Sequence, residues 1–150
     1  MTMKNLAVLL VLLLLTQTGV AAPAENPLGA EKVVAAFHDA LARGDRAGVT
    51  ELLAPGVVIF ESGGAELSRE EYASHHLGSD MEFAKATKRE VVASEAGESG
   101  DAAWVLTRSR TTGTFREKKV DLRGTETMLL RKSAEAWRIV HIHWSSAKAQ

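Results

Sequence analysis

Helical and strand-like patterns occupy separate parts of this chain, and that segregation restricts the fold more than any other feature. Val33, Val34, Phe37, Ala40 and Leu41 recur at helical spacing and make one apolar stripe. Gly44 supplies a C-terminal stop, and Asp45 can cap a short second helix carrying Val49, Leu52 and Leu53, which Pro55-Gly56 ends. Val57 to Glu61 is β-branched and aromatic and reads as a strand, broken by Ser62-Gly63-Gly64. Ser68 followed by Glu71 is a capping box, so a third helix is expected from about Arg69 to Leu77 or slightly beyond. From there the pattern is strand-like: Lys88 to Glu95, Ala102 to Thr114, Val120 to Lys132 and Trp137 to Ser146, with short turns and a charged loop at Phe115–Lys119. Consecutive strands joined by turns imply an antiparallel meander. Helices first and strands later give an α+β architecture, about three helices packed on a strongly bent antiparallel sheet. One domain over residues 25–146 is expected, with 147–150 as a disordered tail.

The N-terminus carries a different message. Lys4 precedes an unbroken apolar run from Leu6 to Leu15, and small residues follow at Val20-Ala21-Ala22-Pro23-Ala24. That order is the pattern of a cleavable signal peptide over residues 1–24, cut after Ala24 or after Ala22. The apolar run falls short of the roughly 18–20 residues that span a bilayer. The expected product is periplasmic or secreted and leaves the membrane after cleavage. The chain has no cysteine, so neither a disulfide nor a lipidated thiol is available to it. Loss of Lys4 reduces the 18 basic residues to 17 against 19 acidic ones, a formal charge of −2. With its basic residues in scattered pairs such as Lys88-Arg89 and Lys118-Lys119, the sequence gives no footprint for nucleic acid.

Several side chains are candidates for chemistry. His141 and His143 are two apart on the last predicted strand and so share a face, which strict alternation also gives to Trp137 and Ile139. A His-x-His pair suits general acid–base work near neutral pH, a polar pocket wall or, as a minor reading, two metal ligands. No third ligand is evident, so the expectation is no metal and no cofactor. Glu61 ends its strand before a glycine turn, a place for a general base. Arg108 and Arg110 share a strand face with Trp104 and Leu106 and would suit an anionic ligand if that face pointed inward. Gly-rich phosphate loops, nucleophile elbows and His-Glu-x-x-His motifs are all missing from the sequence.

Two segments resemble the nuclear transport factor 2-like superfamily in its SnoaL-like branch. The first runs from Phe37 to Gly64, with Ala40-Leu41-Ala42-Arg43-Gly44-Asp45 and Leu52-Leu53-Ala54-Pro55. The second is Trp137 to Ser145, which is also similar to the closing strand of the calcium/calmodulin-dependent protein kinase II association domain. The resemblance implies a cone-shaped fold around a pocket. It leaves function open, because the fold hosts isomerases, dehydratases, hydrolases, cyclases and non-catalytic assembly domains. In the ketosteroid isomerase branch, a carboxylate base would fall near Glu61 and a tyrosine donor on Phe37. Phe37 has no hydroxyl, so the resemblance argues against steroid-type isomerisation here.

The expected function is therefore an exported domain that binds a small, anionic or apolar molecule and forms a homodimer through its sheet. Trp104, Arg108, Met128, His141 and His143 are the expected pocket wall. The alternative is an acid–base enzyme using the same pocket, with Glu61 or His143 moving a proton.

Overall fold

The computed structural model describes residues 29–134 and 136–149. The expected signal peptide and both cleavage points lie outside the described residues. Four helices and six strands follow in the order α1 (Ala30–Arg43), α2 (Arg46–Leu52), β1 (Leu53–Glu61), β2 (Gly64–Glu66), α3 (Arg69–His75), α4 (Leu77–Ala86), β3 (Thr87–Ser99), β4 (Ala102–Phe115), β5 (Lys118–Ser133) and β6 (Ala136–Lys148).

The caps that the sequence announces are in place. Gly44 ends α1 at φ 68°, a left-handed conformation that costs a residue without a Cβ little, and its N–H donates back to the last turn. Asp45 accepts from the Gly48 N–H at 2.9 Å and starts α2. Ser68 Oγ accepts from the Glu71 N–H at 3.1 Å, while the Glu71 carboxylate reaches back to the Leu67 N–H at 2.7 Å. The third helical region is longer than expected: α3 stops at His75, and α4 resumes at Leu77 and runs to Ala86.

The sheet is ordered β2-β1-β6-β5-β4-β3. It is α+β and bent as expected, but not wholly antiparallel. β1 pairs parallel with β6, because the chain enters β1 from the helices and reaches β6 only after the meander β3–β6. The expected loop at Phe115–Lys119 contracts to Arg116 and Glu117, both at positive φ (48° and 65°), which join Phe115 and Lys118 in a tight hairpin. Neither residue is a usual occupant of such a turn, so the sequence gives no sign of it. β6 also outlasts its expected end at Ser146. Ala147 and Lys148 pair with Arg123 and Leu122, because the 16-residue β5 offers partners along its whole length.

The helices cover one face of the sheet. Val33, Val34, Phe37 and Leu41 of α1 bury themselves against Val105, Met128, Leu130, Ile139 and Ile142. Buried residues alternate along β4 (Ala103, Val105, Thr107) and β5 (Glu126, Met128, Leu130), so these define the inner face. In β6 the alternation slips. Leu130 faces Ile139 but Leu129 faces His141, leaving Val140 as a bulge. Trp137 and Ile139 are buried before it, and Ile142 after it.

Candidate functional site

Under the roof of α1 and α4 the sheet encloses a cavity of about 740 Å³. That lies within the roughly 300–1,000 Å³ usual for small-molecule sites. Its wall mixes apolar groups (Val34, Leu41, Phe83, Val105, Phe115, Leu122) with a row of hydroxyls from the inner face of β4, Thr107, Ser109 and Thr111.

The polar centre of the wall is Glu126, which is only 6% exposed. Three donors from three other elements converge on it. His38 of α1 approaches Oε2 through Nε2 at 2.8 Å, and the Trp144 indole donates to the same oxygen at 2.7 Å. Arg89 of β3 donates to Oε1 at 3.2 Å. Burial alone pushes a carboxyl up, but the His38 hydrogen bond and charge, the Arg89 charge and the Trp144 bond together hold Glu126 below its ordinary value. It is an ionised carboxylate at neutral pH. An ionised carboxylate only accepts, so His38 donates to it from Nε2.

Trp144 is the hinge between this cavity and a smaller one of about 180 Å³, lined by Glu61, Glu66, Tyr72, His76 and Asp80 among others. Its ring lies between Phe37 and Tyr72, at 6.2 and 6.5 Å between centroids. Tyr72 donates to Asp80 at 2.8 Å. Glu61, Asp80 and Trp144 line both cavities. Burial raises the Asp80 carboxyl above its ordinary range, and the Tyr72 hydrogen bond offsets this only in part. Glu61 is exposed as a residue, yet partial burial and then the nearby Asp80 charge push its carboxyl up too. Burial and Asp80 keep the Tyr72 hydroxyl protonated. On the far side of the small cavity Glu66, 5% exposed, contacts His76 through Oε1, and that contact raises the His76 imidazole.

Of the residues singled out in the sequence, Glu61 lines the cavity. Met128 is on the inner face but fully buried in the core beneath it. Trp104, Arg108, His141 and His143 are not brought to the cavity. Trp104 and Arg108 alternate with the inward Val105 and Thr107 and therefore sit on the outer face. His141 and His143 are placed outside by the bulge at Val140, which shifts the phase of β6 by one residue. His141 Nδ1 bonds the Val58 carbonyl at 2.9 Å, and Phe60 packs edge-on against both imidazoles. The expected inward imidazole pair is thus replaced by Ile142 and Trp144. Arg110 forms a two-point pair with Asp121, both bonds at 2.9 Å, and is engaged there.

No sequence pattern joins His38, Arg89 and Glu126 into one site. His38 gives a partial signal, falling on the edge of the α1 stripe between Val34 and Leu41. Arg89 looks like half of a solvated basic pair. Its partner is 37 residues away and that of His38 is 88 away, so no local pattern links them.

A bent open sheet roofed by helices over a polar-centred cavity defines a small pocket domain. The chain belongs to the SnoaL-like domain family, whose model matches residues 30–149. A solved protein from Shewanella frigidimarina, described as a candidate ketosteroid isomerase, is 38% identical over 77% of this chain and 94% of its own, with a TM-score of 0.75. A candidate calcium/calmodulin-dependent protein kinase II association domain from Xanthomonas campestris is 26% identical, covering 85% and 92%, at a TM-score of 0.63. The hub of that kinase from S. rosetta shares the fold at 24% identity, covering 81% and 99%, at a TM-score of 0.63. No curated protein matches the chain in sequence.

Proposed function

We propose that this is an exported domain that binds a small neutral or cationic organic molecule in the cavity over Glu126. The charge of the lining carries the reading. Five carboxylates (Glu31, Asp39, Glu61, Asp80 and Glu126) line the cavity against one permanent cation, Arg89, and one imidazole, His38. Arg89 is already committed to Glu126. An anionic ligand would meet net repulsion in a partly desolvated site, whereas an amine or hydroxyl finds acceptors. The anionic ligand suggested by Arg108 and Arg110 loses its support, since neither lines the cavity. Native mass spectrometry of the protein recovered from the periplasm of its own host tests the proposal. A retained neutral or basic small molecule is expected, together with a mass that begins after Ala24. A bare protein, or one still carrying residues 1–24, would count against the binding or export reading respectively.

A second reading, acid–base catalysis in the same cavity, rests on Glu61 and Asp80. Both have raised proton affinities and both border the two cavities, which is how proton carriers are tuned towards neutral pH. The 38%-identical relative described as a candidate isomerase is in keeping with it. Phe37 is wholly buried and supplies no donor, so a steroid-type oxyanion site at that position is not part of the reading. If it holds, turnover of the retained molecule falls at least a hundredfold in Asp80→Asn or Glu61→Gln while binding persists; unchanged turnover in both would end it.

The same domain is proposed to pair with a second copy through the outer face of its sheet. Phe60, Trp104, Leu106 and Leu129 are 38–42% exposed and adjoin one another across β1, β6, β5 and β4, with His141 and His143 between them. Monomeric proteins rarely leave such a contiguous apolar face open.

A further inference from the structure

We propose a divalent transition-metal site, of zinc type, at the corner where β2 meets α3, formed by Glu66, Glu71 and His75. One ligand atom from each of these side chains lies within 4.8 Å of the others. The second observation is independent of that proximity. Glu66 has a side chain only 7% exposed, and its Oε2 is buried without a hydrogen-bond partner. His75 Nδ1 stands 3.4 Å from that oxygen, close enough for attraction but without hydrogen-bond geometry. A buried carboxylate oxygen with no donor is costly, and buried charges are ordinarily paired or bound to a metal. The other oxygen, Oε1, is held by His76 Nδ1, which orients the carboxylate and leaves Oε2 aimed at His75. Glu71 uses one oxygen to cap α3 through the Leu67 N–H, and its second oxygen is available.

One imidazole nitrogen and two carboxylate oxygens form a mixed N/O set that suits zinc, or manganese and nickel next, better than calcium or magnesium. Tetrahedral zinc with bonds near 2.0–2.1 Å needs ligand atoms roughly 3.3 Å apart, so the set, now within 4.8 Å, must close by up to about 1.5 Å. Glu66 is fixed, but His75 is 60% exposed at the end of α3 and free to swing. The ion would bind the three-residue strand β2 to α3, beside the small cavity that Glu66 and His76 line. It is separate from the His-x-His pair of β6, which has one imidazole bound to a backbone carbonyl.

Isothermal titration of the full chain, purified without a histidine tag, with zinc and separately with calcium decides the matter. One zinc per chain and no saturable calcium binding are expected. His75→Ala lies on an exposed side chain and should fold normally while weakening zinc at least tenfold. His76→Ala should weaken it by about tenfold through loss of carboxylate orientation. His143→Ala should leave it unchanged. Zinc should also raise the melting temperature of the wild type and not that of His75→Ala. Absence of stoichiometric uptake, or uptake undiminished in His75→Ala, would overturn the site.

Discussion

Glu126 joins the roof to the sheet. His38 comes from the first helix, Arg89 from the far edge strand and Trp144 from the last strand, and all three end on one carboxylate. Removing it strands a partly buried guanidinium and two donors, so Glu126→Leu should cost roughly 1.5–3 kcal/mol in a urea melt. The sign of the pH effect follows from its lowered proton affinity. A carboxyl whose folded value is depressed contributes stability that is present above its ordinary 4.5 and lost as pH falls through the folded value. Glu126→Gln should therefore show a shallower loss of stability on acidification below about pH 4.5 than the wild type; parallel curves would show that the carboxylate is not held ionised. Asp80 runs the other way. Its folded value is raised, so its contribution is full below the ordinary 3.8 and is lost as pH rises through the folded value. Asp80→Asn should accordingly melt higher than the wild type at pH 7 and gain less or nothing at pH 3, the usual mark of a group kept for function at the expense of stability. A loss at pH 7 would contradict its being a strained acid.

At the scale of elements, the sequence announces what local chemistry controls and misses what long-range pairing controls. Gly44, Asp45 and the Ser68–Glu71 box fix helix ends within a few residues, so these boundaries are legible. The parallel β1–β6 contact and the hairpin at Arg116-Glu117 depend on partners far along the chain or on strained φ values in ordinary residues, and no motif marks them. The phase of β6 shows this most sharply. Strict alternation puts His141 and His143 with Ile139, and a single bulge at Val140 sends them to the opposite face. Glu61 was legible as a site residue because a strand end beside a glycine turn has few places to go, whereas Glu126 sits in the middle of β5 and Arg89 near the start of β3, where either face is open to a charged residue. The bulge makes its own prediction. Deleting Val140 removes the unpaired residue and leaves Ile139 and Ile142 on the core side, so the domain should still unfold cooperatively. Deleting Leu106 from the regular β4 inverts every later side chain and should abolish folding. Equal losses in the two deletions would contradict the bulge.

The whole molecule presents two unlike faces. The inner face, roofed by helices, holds an acidic-lined cavity; the outer face exposes Phe60, Trp104, Leu106 and Leu129. Leu129→Lys, at the middle of the outer face, should convert a dimer to a monomer in native mass spectrometry without lowering cooperativity, while a wild type that is monomeric at micromolar concentration would remove that interface. The cavity's preference for charge is the central claim, and it is tested most directly by one titration series. Matched aryl-alkyl amines, alcohols and carboxylates of a single skeleton are added to the full chain at neutral pH, and the rise in melting temperature is read for each. Amines and alcohols should stabilise the protein and carboxylates should not, with the amine advantage reduced when Asp80 is changed to Asn. Stabilisation by the carboxylate above its amine and alcohol counterparts would contradict the account.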